Sequence, residues 1–229
     1  MRKIDYRDYY IAFLDVMGFS NMVLMESAQF IHEIFSGIRM SKKLVTLARV
    51  GDVREKTRVY FFSDSIVCAI PASEEKAFES ITSNCMLIQH ALWERCPVWV
   101  RGAIVRGRLY CGNGEVFGPA LIDAYRQEEK LARYPRIVMT GETYYFGVKE
   151  SNGGEDIPYI SDTEDGLKMV DTLKYVQGTS EYGPRADIIN EMNIMLMTET
   201  DPRIREKYLW IRNYCKKCGF ICDENKSGV

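Results

Sequence analysis

Tyr10-Ile11-Ala12-Phe13-Leu14-Asp15-Val16-Met17-Gly18-Phe19-Ser20 ends an apolar run on an acid and follows it with a glycine. A carboxylate at the end of such a run is costly to bury alone, so it is expected to face a cation or to sit at a sheet edge. A second acid, Asp64, stands in Tyr60-Phe61-Phe62-Ser63-Asp64-Ser65-Ile66-Val67, where the flanking serines mark the turn of a short hairpin. If that hairpin pairs beside the first strand, the two carboxylates meet at one end of the sheet. Their oxygens then form a hard ligand set suited to divalent cations, which is the layout of a two-metal phosphoryl-transfer site. Each acid alone has a plainer reading, Asp64 as a turn residue and Asp15 as a cap for the helix that follows. The joint pattern adds a glycine-bearing loop: Gly18 and Ser20 open a helix running from Phe19 toward Leu47, whose free amides can meet phosphate oxygens.

Composition narrows the class without naming a chemistry. The chain has 229 residues, 46% of them hydrophobic, enough for one substantial core with a small appendage. The formal net charge of -2 gives no basic surface for nucleic acid, so an anionic substrate would be met by local charge and metal. Seven cysteines, an odd and scattered set, fit reduced thiols in a cytoplasmic protein. The start of the chain is too acidic and its apolar run too short for a signal peptide, and no segment reads as membrane-spanning.

Alternating element types predict an α+β fold with helices packed on one sheet. The first strand covers about Tyr9 to Val16, and Arg58 to Ile70 forms the hairpin. Ser73 is the expected N-cap of a helix ending near Glu94, followed by a long strand from Val98 to Tyr110. Asn113-Gly114 marks a tight hairpin, a helix follows from Ala120 to Ala132, and Arg136 to Met139 is a strand. The segment 51–56 reads as a charged loop and 151–156 as a flexible one, while Asp165-Gly166 turns into an edge strand near Met169. From Gly183 the pattern is helical to the end, giving a domain at 1–180 and a C-terminal helical tail at 181–229. In that tail Cys215, Cys218 and Cys222 invite a zinc reading. A fourth ligand is missing, because the only histidines are His32 and His90, so free thiols are the expectation.

Several of these stretches resemble one family. Phe13 to Ser20 is similar to the first metal-binding motif of class III nucleotide cyclases, and Phe61 to Ser65 to their second. Val100-Arg101-Gly102-Ala103-Ile104-Val105-Arg106-Gly107, Val116 to Arg126, and Ile137 to Tyr144 continue the resemblance in order, over roughly residues 6 to 147. The stretch from Gly118 to Glu128 looks most like the bacterial Pycsar pyrimidine cyclases, which act in anti-phage defence. The resemblance implies a ferredoxin-like palm sheet flanked by helices, and a cytoplasmic homodimer with sites at its interface. It also implies conversion of UTP to 3′,5′-cyclic UMP and pyrophosphate, read by a separate effector, with no sensor or membrane domain attached.

Carried over by position, the resemblance makes Asp15 and Asp64 ligands of two Mg²⁺ or Mn²⁺ ions, with the Val16 carbonyl as a third ligand. Backbone amides from Met17 to Asn21, Phe19 among them, would hold phosphates, and Arg126 would reach across the dimer. An asparagine is expected one helical turn before that arginine, but Ile122 stands there instead. Tyr60 occupies a base-reading position filled in purine cyclases by lysine or glutamate, and Glu115 matches the second such position. A tyrosine there favours a pyrimidine by shape. Cyclic CMP synthesis, adenylate cyclase activity, and a degenerate nucleotide-binding or dimerising module are the alternatives. A diguanylate cyclase is disfavoured because its Gly-Gly-Asp/Glu-Glu-Phe hairpin is absent.

Overall fold

The computed structural model describes residues 4–47, 49–50, 53–54, 57–151, 157, 159–176, 184 and 186–221. Strand β1 (Arg7–Val16) leads into helices α1 (Phe19–Met25) and α2 (Ala28–Leu47), then the two-residue strands β2 (Arg49–Val50) and β3 (Val53–Arg54). The hairpin β4 (Arg58–Phe62) and β5 (Ser65–Pro71) precedes α3 (Ala77–Trp93), β6 (Val100–Gly112), β7 (Glu115–Phe117) and α4 (Pro119–Leu131). There follow β8 (Ile137–Met139), α5 (Gly141–Glu150), β9 (Ile160–Asp162), β10 (Lys168–Val170), α6 (Thr172–Val176), α7 (Ala186–Thr198) and α8 (Pro202–Lys217). Eight strands make one sheet in the order β4-β5-β1-β6-β8-β10-β9, with β7 paired to β6. Within it β8 runs parallel to β6 and the remaining pairs are antiparallel. The expected α+β sheet flanked by helices is the observed fold.

The continuous apolar run of β1 follows from burial on both faces, which removes the polar half of the usual alternation. Tyr10, Ala12, Leu14 and Val16 face α2 and α3 and pack with Ile34, Ile38, Ile81 and Ile88. Tyr9 and Ile11 face the other way, against Ala120 and Ala124 of α4. Ile11 and Leu14 are wholly buried, each contributing roughly 1.5–3 kcal/mol by removal from water. Continuing the alternation, Asp15 falls on the α4 face at the end of the strand.

Local structure departs from the sequence reading at several elements; within the expected loop 51–56, Val53–Arg54 is a strand paired with β2. The helix expected from Phe19 to Leu47 is broken, because Glu26 is extended and the Ser27 hydroxyl accepts from the Phe30 amide at 3.2 Å. Ser27 thus starts a new helix, as its capping chemistry favours. Ser73 is not an N-cap. Glu74 donates its amide to the Pro71 carbonyl, and the helix begins only after Lys76, whose φ of 56° is left-handed. The chain must first turn from β5, whose end is fixed by Pro71 opposite Tyr9, back over the sheet. The strand after Asp165-Gly166 is not the edge either: β10 pairs with β8 on one side and β9 on the other, leaving β9 outermost. The Asn113-Gly114 hairpin does form, with both residues at positive φ (53° and 82°).

Helices α7 and α8 pack against the end of the sheet that carries Asp15. Ile188, Met192, Leu196, Ile211 and Cys215 share one cluster with Met17, Trp93 and Trp99. Asp201 caps α8 by accepting from the Arg203 amide at 2.8 Å, with Pro202 at the first helical position. The expected boundary between 180 and 181, Gly183 and Cys222 lie outside the described residues, as do most of the loops expected at 51–56 and 151–156. Burial pushes the Cys215 and Cys218 thiols up to about 12 and about 11, which opposes the thiolate a metal requires. Among the described residues no three His, Cys, Asp or Glu side chains group as a metal site, and no helix is long and apolar enough to cross a membrane.

Candidate active site

Strand register builds the site. Asp15 lies opposite Ser65 on β5 and opposite Arg101 on β6. The β4–β5 turn, Ser63-Asp64, is tied to β1 because the Val16 amide donates to the Asp64 carbonyl at 3.2 Å. The hairpin therefore pairs beside the first strand, and the two carboxylates converge at the sheet end. They are close enough that Asp64 raises the proton affinity of Asp15.

A cation meets these acids. Arg101 Nε donates to Asp15 Oδ2 at 3.2 Å and lies 2.9 Å from Glu128 Oε1 on α4. The second contact is an ion pair without hydrogen-bond alignment, since Glu128 Oε1 is buried and has no hydrogen-bond donor. Burial holds the Asp15 carboxyl above its usual value, Arg101 pulls it back, and Asp64 pushes it further up. Burial also pushes Glu128 up to about 7, against the pull of Arg101. From α8, Lys207 feels Asp15, Glu128 and Arg101, and burial followed by Arg101 lowers its proton affinity.

The other expected site residues are placed as follows. Phe19 buries its ring edge-on against Phe35, so only its backbone can meet a ligand. The Met17 amide donates to the Trp99 carbonyl at 2.8 Å, which takes it out of the expected phosphate-binding set. Tyr60 and Glu115 come together: the Tyr60 hydroxyl donates to the Glu115 carbonyl at 3.3 Å and lies 3.2 Å from Cys111 Sγ. A cavity of about 400 Å³ opens beside them, lined by Lys42, Tyr60 and Asn113 among others. Tyr60 shares its cluster with Phe13, so the cavity wall and Asp15 belong to one face of the sheet. Arg126 is exposed on α4 with Ile122 and Tyr125, and makes no ion pair among the described residues. The nearby Asp123 carboxylate accepts instead from Gln127 at 3.1 Å.

Arg101, Glu128 and Lys207 were not singled out as site residues from the sequence. For Glu128 a signal exists: it falls four and eight residues after Ala124 and Ala120, on the buried face of the helix. Arg101 and Lys207 depend on strand register and on helix docking, neither of which a local pattern carries.

The fold is that of class III nucleotide cyclase catalytic domains. No protein-family model matches the sequence, and a search of curated proteins gives no match. Among solved structures, the catalytic core of a rhodopsin-guanylyl cyclase with converted specificity, in complex with ATPαS, superposes with a TM-score of 0.54 at 13% identity. It covers 72% of this chain and 96% of that one. An adenylate/guanylate cyclase/hydrolase from Silicibacter pomeroyi matches over 70% of this chain and 88% of its own, at 14% identity and a TM-score of 0.45. A class III adenylyl cyclase-like ATP-binding protein from Pseudomonas aeruginosa matches over 73% and 39%, at 9% identity and a TM-score of 0.45. At these identities the likeness is one of fold.

Proposed function

We propose that this chain is a nucleotide cyclase, acting as a symmetric homodimer, that converts UTP to 3′,5′-cyclic UMP and pyrophosphate. The observation that carries the reading is the convergence of Asp15 and Asp64 at one sheet end. Two such carboxylates and the Val16 carbonyl are a hard oxygen set that fits Mg²⁺ or Mn²⁺, and the pair has a surplus of negative charge that Arg101 alone does not neutralise. Bound there, two divalent ions would lower the proton affinity of the ribose 3′-hydroxyl and neutralise charge on the phosphoryl and leaving oxygens. The 3′-oxygen bonds to the α-phosphorus as the bond to the bridging oxygen breaks. The proton leaves to solvent and the electron pair leaves with pyrophosphate. The chain's own residues hold and orient: Asp15 and Asp64 fix the reacting end, the amides of 18–21 face the phosphates, and Tyr60 with Glu115 borders the base. Arg126 would come from the partner subunit, its exposure on α4 leaving it available for that.

The preference for a pyrimidine rests on the Tyr60 ring, which lines the cavity at the base-reading position and would take space that a purine needs. The role in anti-phage defence, through a separate effector, and the cytoplasmic location rest on the sequence resemblance alone. A purine substrate is the second reading, because the structural neighbour with the highest TM-score given above holds an ATP analogue. Purified protein with Mn²⁺ is offered each of the four nucleoside triphosphates and the products are identified by mass spectrometry. Cyclic UMP is expected, lost on Asp15→Ala or Asp64→Ala with the fold retained. Cyclic AMP as the sole product moves the assignment to the purine reading. No product from any triphosphate favours a binding module, in which Arg101 permanently neutralises Asp15, whereas wild-type rates in either variant remove the two-carboxylate mechanism.

A further inference from the structure

The C-terminal helical unit does more than cover apolar surface. Two neighbours fix where residue 207 stands. Glu206 accepts from Arg133 Nη2 at 2.6 Å and from the Tyr134 hydroxyl at 2.9 Å, which anchors α8 just beyond the end of α4. Tyr208 lines a small cavity with Met17, Met22 and Trp99, at the turn that directly follows Asp15-Val16. Lys207 lies between these anchored neighbours, within electrostatic range of Asp15, Arg101 and Glu128. It is half-buried and makes no ion pair among the described residues.

Charge accounts for what a lysine does there. Without a ligand, Asp15, Asp64 and Glu128 face Arg101 and Lys207, a small negative excess. When divalent cations occupy Asp15 and Asp64, Arg101 loses its partner on β1, and two protein cations stand beside the metals with only Glu128 between them. The local field turns strongly positive, and cations in a partly dry cleft attract the nearest polyanion. We propose that Lys207, delivered by α8, is a substrate-binding residue that contacts the triphosphate of the nucleotide at this centre, so that the C-terminal unit completes the active site in cis. This rests on the cyclase reading for the identity of the substrate, and on the metal site of that reading, though not on turnover, for the attraction of a polyphosphate.

Binding separates the two claims. Inorganic tripolyphosphate and α,β-methylene-UTP are titrated calorimetrically into the full-length chain, in EDTA and in Mn²⁺, alongside Lys207→Met and Lys207→Gln. The thermal midpoint of each variant confirms folding. A lost charge-assisted contact is expected to weaken tripolyphosphate about tenfold in both variants, with Lys207→Arg within about threefold of wild type. In turnover, KM rises by a similar factor while kcat changes less. Unchanged tripolyphosphate affinity in both folded variants, or no binding by the wild type, overturns the inference. If the wild type makes no cyclic nucleotide yet binds tripolyphosphate through Lys207, the cyclase reading falls and the polyphosphate site stands.

Discussion

Glu128→Gln is expected to leave the protein at least as stable as wild type at pH 8, although it deletes one half of an ion pair. Glu128 is 3% exposed, and its carboxyl is pushed up to about 7 from an ordinary 4.5. The wild-type native state therefore keeps a proton that the unfolded chain has already released between those values. Stability conferred by that proton is complete below about pH 4.5 and is lost as pH rises through about 7. A gap of about 2.5 units corresponds to about 3 kcal/mol, at about 1.4 kcal/mol per unit. Glutamine fills the same space and never ionises, so this part of the pH slope disappears. Some of the gain is offset because Arg101 loses its 2.9 Å partner, although it retains Asp15. Urea unfolding of both proteins in metal-free buffer from pH 4.5 to pH 8 measures the effect. The wild type should lose about 3 kcal/mol more than the variant over that range, or roughly 6–12 °C in Tm for a chain of this size. Asp15, whose proton affinity is also raised, contributes to both curves, and in the variant it keeps Arg101 to itself, so the difference between the curves includes that coupling. Parallel curves within about 1 kcal/mol, or a variant about 2 kcal/mol less stable than wild type at pH 8, would refute the claim that burial outweighs the ion pair.

Gly102→Ala should lower Tm by roughly 3–10 °C. The added methyl would lie 2.5 Å from the Phe13 carbonyl oxygen and from Leu14 Cδ2, so β1 and β6 must part beside Asp15, at about 1–3 kcal/mol. A Tm within 1 °C of wild type, read by circular dichroism, would show that the strands separate there without strain. Mixing Asp64→Ala and Arg126→Ala subunits, each inactive alone, should restore roughly a quarter of wild-type turnover, since random pairing yields one intact site in half of the dimers. Verified mixed dimers with no activity would exclude Arg126 from the opposite subunit's site.

What could be read from the sequence was whatever depends on a short window. The apolar run of β1, the serine-flanked turn at Asp64 and the Asn113-Gly114 hairpin each carry their geometry in a few residues, and each appears as expected. The Asp201-Pro202 start of α8 is equally local, yet the reading of one helical stretch from Gly183 to the end passes over it. Ser27 is the instructive failure. Its side chain offers the Phe30 amide an alternative to continuing the helix, yet the apolar spacing on either side reads as one helix. At the candidate site, the acids were visible because they interrupt apolar strands, whereas the cations that face them were not. Arg101 acquires its meaning only from the β1–β6 register, and Lys207 only once α8 docks on Met17 and Trp99.

The same contacts bear on why these acids are present at all. Asp15 and Glu128 each have raised proton affinities in spite of Arg101, because burial, joined at Asp15 by the neighbouring Asp64, outweighs the pull of the ion pair. A scaffold that only binds its partner subunit gains nothing from an unfavourable pair of this kind. A site that must hold a metal and then release a charged product does gain, because carboxylates kept short of full neutralisation remain ready for an incoming cation. Arg101 fits that role as a resident cation which a divalent ion can displace from Asp15, with Glu128 left to hold it nearby. The electrostatics at the end of β1 are therefore in keeping with the proposed role of Asp15 as a metal ligand.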